Sequence, residues 1–372
     1  MTLQASPLNV LMLPDYREGN PYQQLLADAI EQNDCKVNFY GNYRRVLPIF
    51  RAIQDQAHRP DLLHLHWLEK YLRGDNLVLR SAYAAKLIVD LLLVRATGTR
   101  LVWSIHDQIE HDTKFPMIDR WTRRILIGLA DRLIFHNHVA LNHYQQQYAF
   151  DVTKAEVIPH GHYRGVYGGA ISSAQARQLL DLSQHRRIYL NLGMLKPYKG
   201  IEQLLQVWQK HHAQLQGSTL LIAGQPFDPD YEQALAKLAA NTKNVVFYPH
   251  FVESDRIHLY LSAADCVVLP YKNILTSGSA ILALSFTKPI IAPRLGGIPE
   301  LVDTADALLY DPNDPQGLAL AIQKSVEADL STLQQRIEQA CDRLDWSSIG
   351  AKTAEVYRSC LLSNGLLQVQ KS

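Results

Sequence analysis

The stretch NILTSGSAILALSFTKPIIAPRLGGIPELV (273–302) decides the reading of this 372-residue chain. Thr276, Ser277, Gly278 and Ser279 precede an apolar run of helical spacing; a strand, KPIIAP (288–293), follows, and Gly296-Gly297 comes next. Turn, helix, strand and turn in this order make one step of a doubly wound parallel sheet, where ligands bind beyond the carboxyl ends of the strands. Both bare segments therefore fall on neighbouring loops at the ligand edge.

The same rhythm extends in both directions. Short β-branched or leucine-rich runs predict strands at 9–14, 36–41, 62–67, 100–107, 132–137 and 155–161, and again at 187–193, 218–224, 244–250, 265–271, 288–293 and 307–311. Helical periodicity lies between many of them, as in YQQLLADAIEQN (22–33), where Leu25, Leu26, Ala29 and Ile30 share a face. The rhythm weakens around Gly168-Gly169, which reads as a connection. The expected organisation is a first Rossmann-like α/β domain over 1–165, a linker over 166–186, a second Rossmann-like α/β domain over 187–345 and a closing helix over 346–372 that returns to the first domain. Trp346-Ser347-Ser348 reads as the break and N-cap before that helix.

Bulk properties agree with two α/β domains. Lysine plus arginine (37) nearly balances aspartate plus glutamate (36), so no nucleic-acid partner is expected. Cys35, Cys266, Cys341 and Cys360 are scattered without a CxxC or Cys/His spacing, which argues against structural zinc or a disulfide framework and fits a reducing cytoplasm. The N-terminus lacks the pattern of an export signal. The most apolar window, AAKLIVDLLLV (84–94), holds Lys86 and Asp90 and falls short of the ~20 residues of a bilayer span.

Chemistry is sought where strands end. After IYLNLG come Lys196 and Lys199 beside a helix start, with Gly193 at the turn; two ammonium groups near a helix N-terminus suit a diphosphate, and the plain alternative is a solvated loop. Thr276, Ser277, Gly278 and Ser279 offer amides and hydroxyls to an anion, or a simple N-cap. Gly296 and Gly297 permit close approach of a ligand. Histidines crowd the strand ends of the first half: HLHW (64–67), SIHD (104–107), FHNH (135–138) and PHGHY (159–163). They come from separate strands without metal-ligand spacing, so no metal is expected, and one of His64 and His66 reads as a hydrogen-bonded core residue. MIDRWTRRILIGLADRL (117–133) mixes Trp121, Ile125, Leu126 and Leu129 with four arginines, as in helices that lie on anionic membranes or, equally, in a sheet-covering helix with a basic edge.

In order and spacing, GMLKPYKG, ADCVVLPY, NILTSGSAILALSFTKPIIA and RLGGIPE resemble the motifs of family 4, or group 1, glycosyltransferases. HLHW and SIHDQIEHD resemble strings of bacterial exopolysaccharide glycosyltransferases. The resemblance implies the GT-B fold, two Rossmann-like doubly wound domains facing a central cleft, and transfer of a sugar from a nucleoside-diphosphate sugar to a lipid-linked or polysaccharide acceptor. It further implies hexosyl transfer without a metal or other cofactor, in the cytoplasm or peripherally at the inner membrane face. His106 would meet the donor sugar. Asp107, Glu110 or His111 would serve as base if the reaction inverts; Lys199 and Lys196 would hold the phosphates, with Gly193, 276–279 and Gly296-Gly297, while His250 and Phe251 would frame the nucleobase. The chain departs from the family at three points: Ile274 and Leu282 stand where it has two glutamates, and Met194 where it has an arginine. Those departures keep two alternatives in view, a catalytically silent nucleotide-sugar-binding subunit and a GT-B sugar-nucleotide epimerase.

Overall fold

Runs dense in leucine and β-branched side chains become parallel strands, because only a sheet covered on both faces can bury them continuously. The computed structural model describes residues 6–41, 46–106, 114–169, 171–302 and 308–362. The chain divides into one unit of Met1–Gly161 with Asp345–Ser372, and a second of His162–Leu344.

The first unit runs β1 (Leu8–Leu13), α1 (Tyr22–Glu31), β2 (Cys35–Phe39), α2 (Pro48–Gln54), β3 (Leu62–Leu65), α3 (Leu77–Ala96), β4 (Arg100–Ile105), α4 (Pro116–Leu129), β5 (Arg132–Phe135), α5 (His138–Tyr148) and β6 (Ala155–Val157). The sheet order is β2-β1-β3-β4-β5-β6, all parallel, with Leu11 opposite Leu63 and Leu63 opposite Leu101. Val10, Met12, Leu26, Ile30, Leu62, Val102 and Ile134 form its core. Helix α2 has Leu47 at its N-cap with no side-chain cap. The buried Asp90 of α3 does that work instead, accepting the N–H groups of Ile49 and Phe50 at 3.0 and 2.7 Å.

The second unit runs α6 (Ser173–Leu179), β7 (Arg187–Leu192), α7 (Ile201–Lys210), β8 (Ser218–Ala223), α8 (Pro229–Ala240), β9 (Val245–Tyr248), α9 (Ile257–Ala263), β10 (Cys266–Val268), α10 (Gly278–Ser285), β11 (Ile290–Pro293), α11 (Ile298–Val302), β12 (Leu309–Tyr310), α12 (Gly317–Glu327) and α13 (Leu330–Asp342). Its order, β12-β11-β10-β7-β8-β9, reverses between β7 and β10, so the loops leaving those two strands diverge and open a crevice at their carboxyl ends. Tyr189, Leu204, Trp208, Ile222, Leu235, Val268 and Ile291 fill the core. The 166–186 stretch, read as a connection, belongs to this unit and holds α6. There Arg177 donates to Asp265 at 2.7 Å and to the carbonyls of Ala263, Gln184 and Arg186.

The chain then re-enters the first unit with α14 (Trp346–Leu362), which packs along α1. Its cap is Asp345, which accepts the Ser348 N–H at 3.1 Å, not a serine of the Trp346-Ser347-Ser348 break. Helix α4 covers the sheet through Thr122, Leu126 and Ile127, and Trp121, read as part of its apolar face, instead points outward at 61% exposure. No helix of the described residues is long and apolar enough to cross a membrane.

Candidate functional site

The switch point of the second unit is set by two loops. In the β7–α7 loop Gly193 adopts φ +110°, a conformation that side-chain-bearing residues rarely take. A Cβ there would stand 3.2 Å from Lys199 Nζ and 3.7 Å from Ser279 Oγ. The ammonium at the start of α7 and the hydroxyl at the start of α10 thus converge on the bare face of Gly193. Burial, followed by the neighbouring Lys196 charge, pulls the Lys199 pKa down to about 8. A cation held at that cost, at a crevice and beside another cation, is the arrangement an incoming anion relieves.

The four residues 276–279 divide in role. Ser277 is buried; its Oγ caps α10 by accepting the Ala280 N–H at 3.0 Å and shares a hydrogen bond with Tyr271 at 2.9 Å. Its hydroxyl therefore serves the fold as the N-cap of α10, the simpler of its two readings. Gly278 is exposed and Ser279 half-buried; they open the first turn, whose N–H groups have no carbonyl within the helix. Gly296 is also structural in its immediate surroundings. At φ +52° its missing Cβ makes room for the Ile274 carbonyl, which would lie 2.3 Å away, and the Gly297 N–H is spent on the Leu275 carbonyl at 2.8 Å. The second bare segment supports the first from behind, and its bareness serves chain-to-chain packing. Ile274 and Leu282 are half-buried, whereas Met194 is 53% exposed.

Beside this crevice lies an open cavity of about 390 Å³, walled by Phe227 and Asp228 after β8, Glu232 on α8, and His250 and Phe251 after β9. Lys196 Nζ sits 5.7 Å from the Phe227 ring centroid, so the second lysine borders this aromatic wall. Phe227 and Phe251 are 58% and 60% exposed, unusual for phenylalanine on a packed domain. Sequence reasoning passed over Phe227; an aromatic three residues beyond the glycine that follows β8 was the available signal.

In the first unit the strand ends gather five buried histidines: His64, His66, His106, His136 and His160. His64 is a core residue, bonded to Tyr357 Oη at 2.7 Å and Ser104 Oγ at 2.8 Å. The next three form a row: His66 Nδ1 to His106 Nε2 at 2.9 Å, His106 Nδ1 to His136 Nε2 at 3.2 Å, and His136 Nδ1 to the Ile158 carbonyl at 3.0 Å. Burial holds all five pKa values down, to about 4 for His136, about 3 for His64 and His160, and well below the ordinary value for His66 and His106. The rings are therefore neutral, and the terminal carbonyl fixes every proton. His136 must donate from Nδ1, so its Nε2 accepts from His106 Nδ1, and His106 Nε2 accepts from His66 Nδ1. The bare end of the row is His66 Nε2, which is buried with no hydrogen-bond partner among the described residues.

His106, read as the donor-sugar contact, accordingly has both ring nitrogens engaged, and its ring stacks on Trp67 at 4.2 Å between centroids. A sugar hydroxyl reaching it would replace one imidazole partner. Asp107, Glu110 and His111 lie outside the described residues. Among those residues, no three His, Cys, Asp or Glu side chains are placed to hold a metal ion.

Residues 186–328 match the family described as Glycosyl transferases group 1. The GDP-mannose:glycolipid 4-beta-D-mannosyltransferase of Xanthomonas campestris pv. campestris is 27% identical over 350 residues, 93% of this chain and 90% of that protein. Among solved structures, sucrose-phosphate synthase from Thermosynechococcus elongatus superposes with a TM-score of 0.70 at 18% identity, over 96% of this chain and all of that one. Anabaena HepE in complex with UDP and glucose gives 0.69 at 18% identity, over 95% of this chain and all of its own.

Proposed function

We propose, for a chain that belongs to the group 1 glycosyltransferases of GT-B fold, that it moves a sugar from a nucleoside-diphosphate sugar to a lipid-linked or polysaccharide acceptor. The observation that carries this reading is the convergence of Lys199 Nζ and Ser279 Oγ on Gly193 at the switch point of the second unit. In the transfer, the bond from the anomeric carbon to the β-phosphate oxygen breaks, and a bond from that carbon to an acceptor hydroxyl oxygen forms. Negative charge grows on the departing diphosphate while the hydroxyl proton passes to a base if the reaction inverts, or to the departing phosphate oxygen if it retains. Lys199, Lys196 and the first-turn amides of α10 meet that charge, in the manner of preorganised donors aimed where charge develops.

The aromatic cavity next to Lys196 is the place for the base. Truncating Phe251 to alanine should weaken nucleoside-diphosphate binding between roughly 5-fold and 150-fold, the range of one base-aromatic stack, with little change in turnover at saturation. An unaltered dissociation constant in calorimetry would move the base elsewhere.

A lipid-linked acceptor is favoured by two features. The Xanthomonas relative is named for a glycolipid acceptor. The neighbouring helices α3 and α4 of the first unit also expose Leu77, Val78, Met117 and Trp121, with Val78 at 77% and Trp121 at 61%, interleaved with exposed Arg120 and Arg124. Aromatic and aliphatic side chains flanked by arginines suit the surface of an anionic bilayer.

The direct test incubates the chain with UDP-, GDP-, dTDP- and ADP-sugars and measures nucleoside diphosphate released with and without a glycolipid acceptor extract. Acceptor-stimulated release from one donor is the expected outcome. Tight donor binding with no release under any condition would replace this reading with that of a silent binding subunit.

A further inference from the structure

The first unit holds a second group of cations, away from the histidine row. A cavity of about 200 Å³ lies where the loop after β3 meets α2 and α3, and Pro48, Lys70, Arg73, Tyr83, Lys86 and Asp90 are among its walls. Three cationic groups face one carboxylate there. Both Asp90 oxygens also accept backbone N–H groups of α2, and the Lys86 charge acts on that carboxylate, so one negative charge answers three positive ones along this wall. Elsewhere in the unit, half-buried arginines meet aspartates directly, as in Arg80–Asp119 at 2.6 Å and Arg95–Asp131 at 2.7 Å. Arg73 has no such pair among the described residues; its Nε donates to the Lys70 carbonyl at 2.9 Å, leaving the terminal nitrogens of its fork.

The loop is held rather than adaptable. Lys70 Nζ donates to the Asp15 carbonyl at 3.0 Å and lies 3.9 Å from the Tyr16 ring centroid. Arg80 Nη1 grips the Leu72 carbonyl at 2.5 Å while its other two nitrogens bind Asp119, and Asn76 caps α3 through the Leu79 N–H at 2.9 Å. Burial lowers the Lys70 pKa and the Arg73 charge acts in the same direction, against Asp15 and Glu18. Positive charge is thus concentrated beside a held loop, with Lys70 half-buried and the Arg73 fork exposed to an incoming ligand, a disposition that an anion stabilises.

We propose that this cavity is an anion site for the phosphate of a ligand, with the Arg73 guanidinium as its fork and the Lys70 and Lys86 ammonium groups as point charges. A forked guanidinium matches a phosphate edge, and two ammonium groups accommodate the second charge of a monoester or diphosphate. Immediately after this loop, Leu77 and Val78 open α3 as exposed apolar side chains, so an amphiphile bound by its phosphate has apolar surface next to it. The site extends the acceptor side of the glycosyltransferase reading, and its phosphate is either that of a soluble ligand or a lipid head group.

The test uses the full chain carrying Lys199→Ala, which removes the principal anion contact of the second unit, with and without the added pair Arg73→Gln and Lys86→Gln. Equilibrium dialysis with inorganic pyrophosphate should show binding that the added pair weakens at least tenfold, and Arg73→Lys alone should give an intermediate affinity. Sedimentation with phosphatidylcholine vesicles containing 30 mol% phosphatidylglycerol separates the sources: loss of vesicle binding in the same variants assigns the site to a lipid head group, and loss of pyrophosphate binding alone assigns it to a soluble phosphate. Equal affinity of all variants for both probes overturns the proposal. Matching thermal midpoints show that the variants fold. Donor release by the unmodified chain, measured separately, tests the transferase reading without bearing on this outcome.

Discussion

Lowering the pH from 7 to 5 should unfold the first unit. Five imidazoles there are held neutral by burial: His136 titrates near 4, His64 and His160 near 3, and His66 and His106 well below their ordinary value. In the unfolded chain the same rings take protons near pH 6.5. Their folded values lie below their unfolded ones, so the unfolded state binds more protons as the pH falls, and stability is lost from about pH 6.5 down toward the folded values. By pH 5 the loss is about 2 kcal/mol for each of His64, His136 and His160, roughly 6 kcal/mol together, and His66 and His106 act in the same direction, against a typical domain stability of about 5–15 kcal/mol. Neighbours offer little relief. Around the row lie Tyr22, Trp67, Trp346 and the other histidines, and among the described residues no carboxylate acts on any of these rings. Trp67, Trp103, Trp121 and Trp346 belong to this unit and only Trp208 to the other, so fluorescence of a Trp208→Phe variant isolates the transition. A midpoint below pH 4 would show that these rings tolerate charge.

Removing the Lys199 ammonium as alanine should lower turnover by about 10²-fold or more, the usual loss for one preorganised charge-stabilising donor. The sign of the stability change separates this from damage. A lysine whose pKa is drawn down to about 8 is charged at a cost to the fold at pH 7, a cost that disappears as pH rises through the unfolded lysine value. Lys199→Ala should therefore melt no lower than the parent, and higher if the cavity closes. In the unmodified chain, donor affinity should decline above pH 8 as the free ammonium loses its proton; Lys199→Arg, charged throughout, should flatten that limb. Kinetics of Lys199→Ala matching the parent would remove the diphosphate from this crevice.

The sequence made the twelve strands and the longer helices of the second unit legible, because a parallel strand buried on both faces has an unbroken apolar signature. Helix α2 was not legible, since its cap comes from Asp90, far along the chain, and not from the residue before it. The lysine loop and the residues opening α10 were readable from spacing as neighbours at one sheet edge, and they do approach one another. The division of labour among 276–279 was not readable, since a serine that caps a helix and one that faces a crevice share the same letters. Gly296 shows a related limit of sequence: a bare position signals close approach, and here the Ile274 carbonyl is what arrives on its Cβ face. The histidine row was visible only as scattered pairs. Its order depends on which strands become neighbours, and the sheet order 2-1-3-4-5-6 is a tertiary fact.

Helix α14 completes the first unit from the far end of the chain: Tyr357 bonds His64, and Trp346 packs against His160 and occupies the space that a side chain at Gly161 would need. On the ribosome, the first 161 residues emerge without the helix that covers α1 and must wait through the synthesis of the entire second unit before it arrives. The half synthesised first is therefore the half finished last, and a nascent chain stalled before Trp346 would carry all the residues of the second unit and a first one still lacking its closing helix.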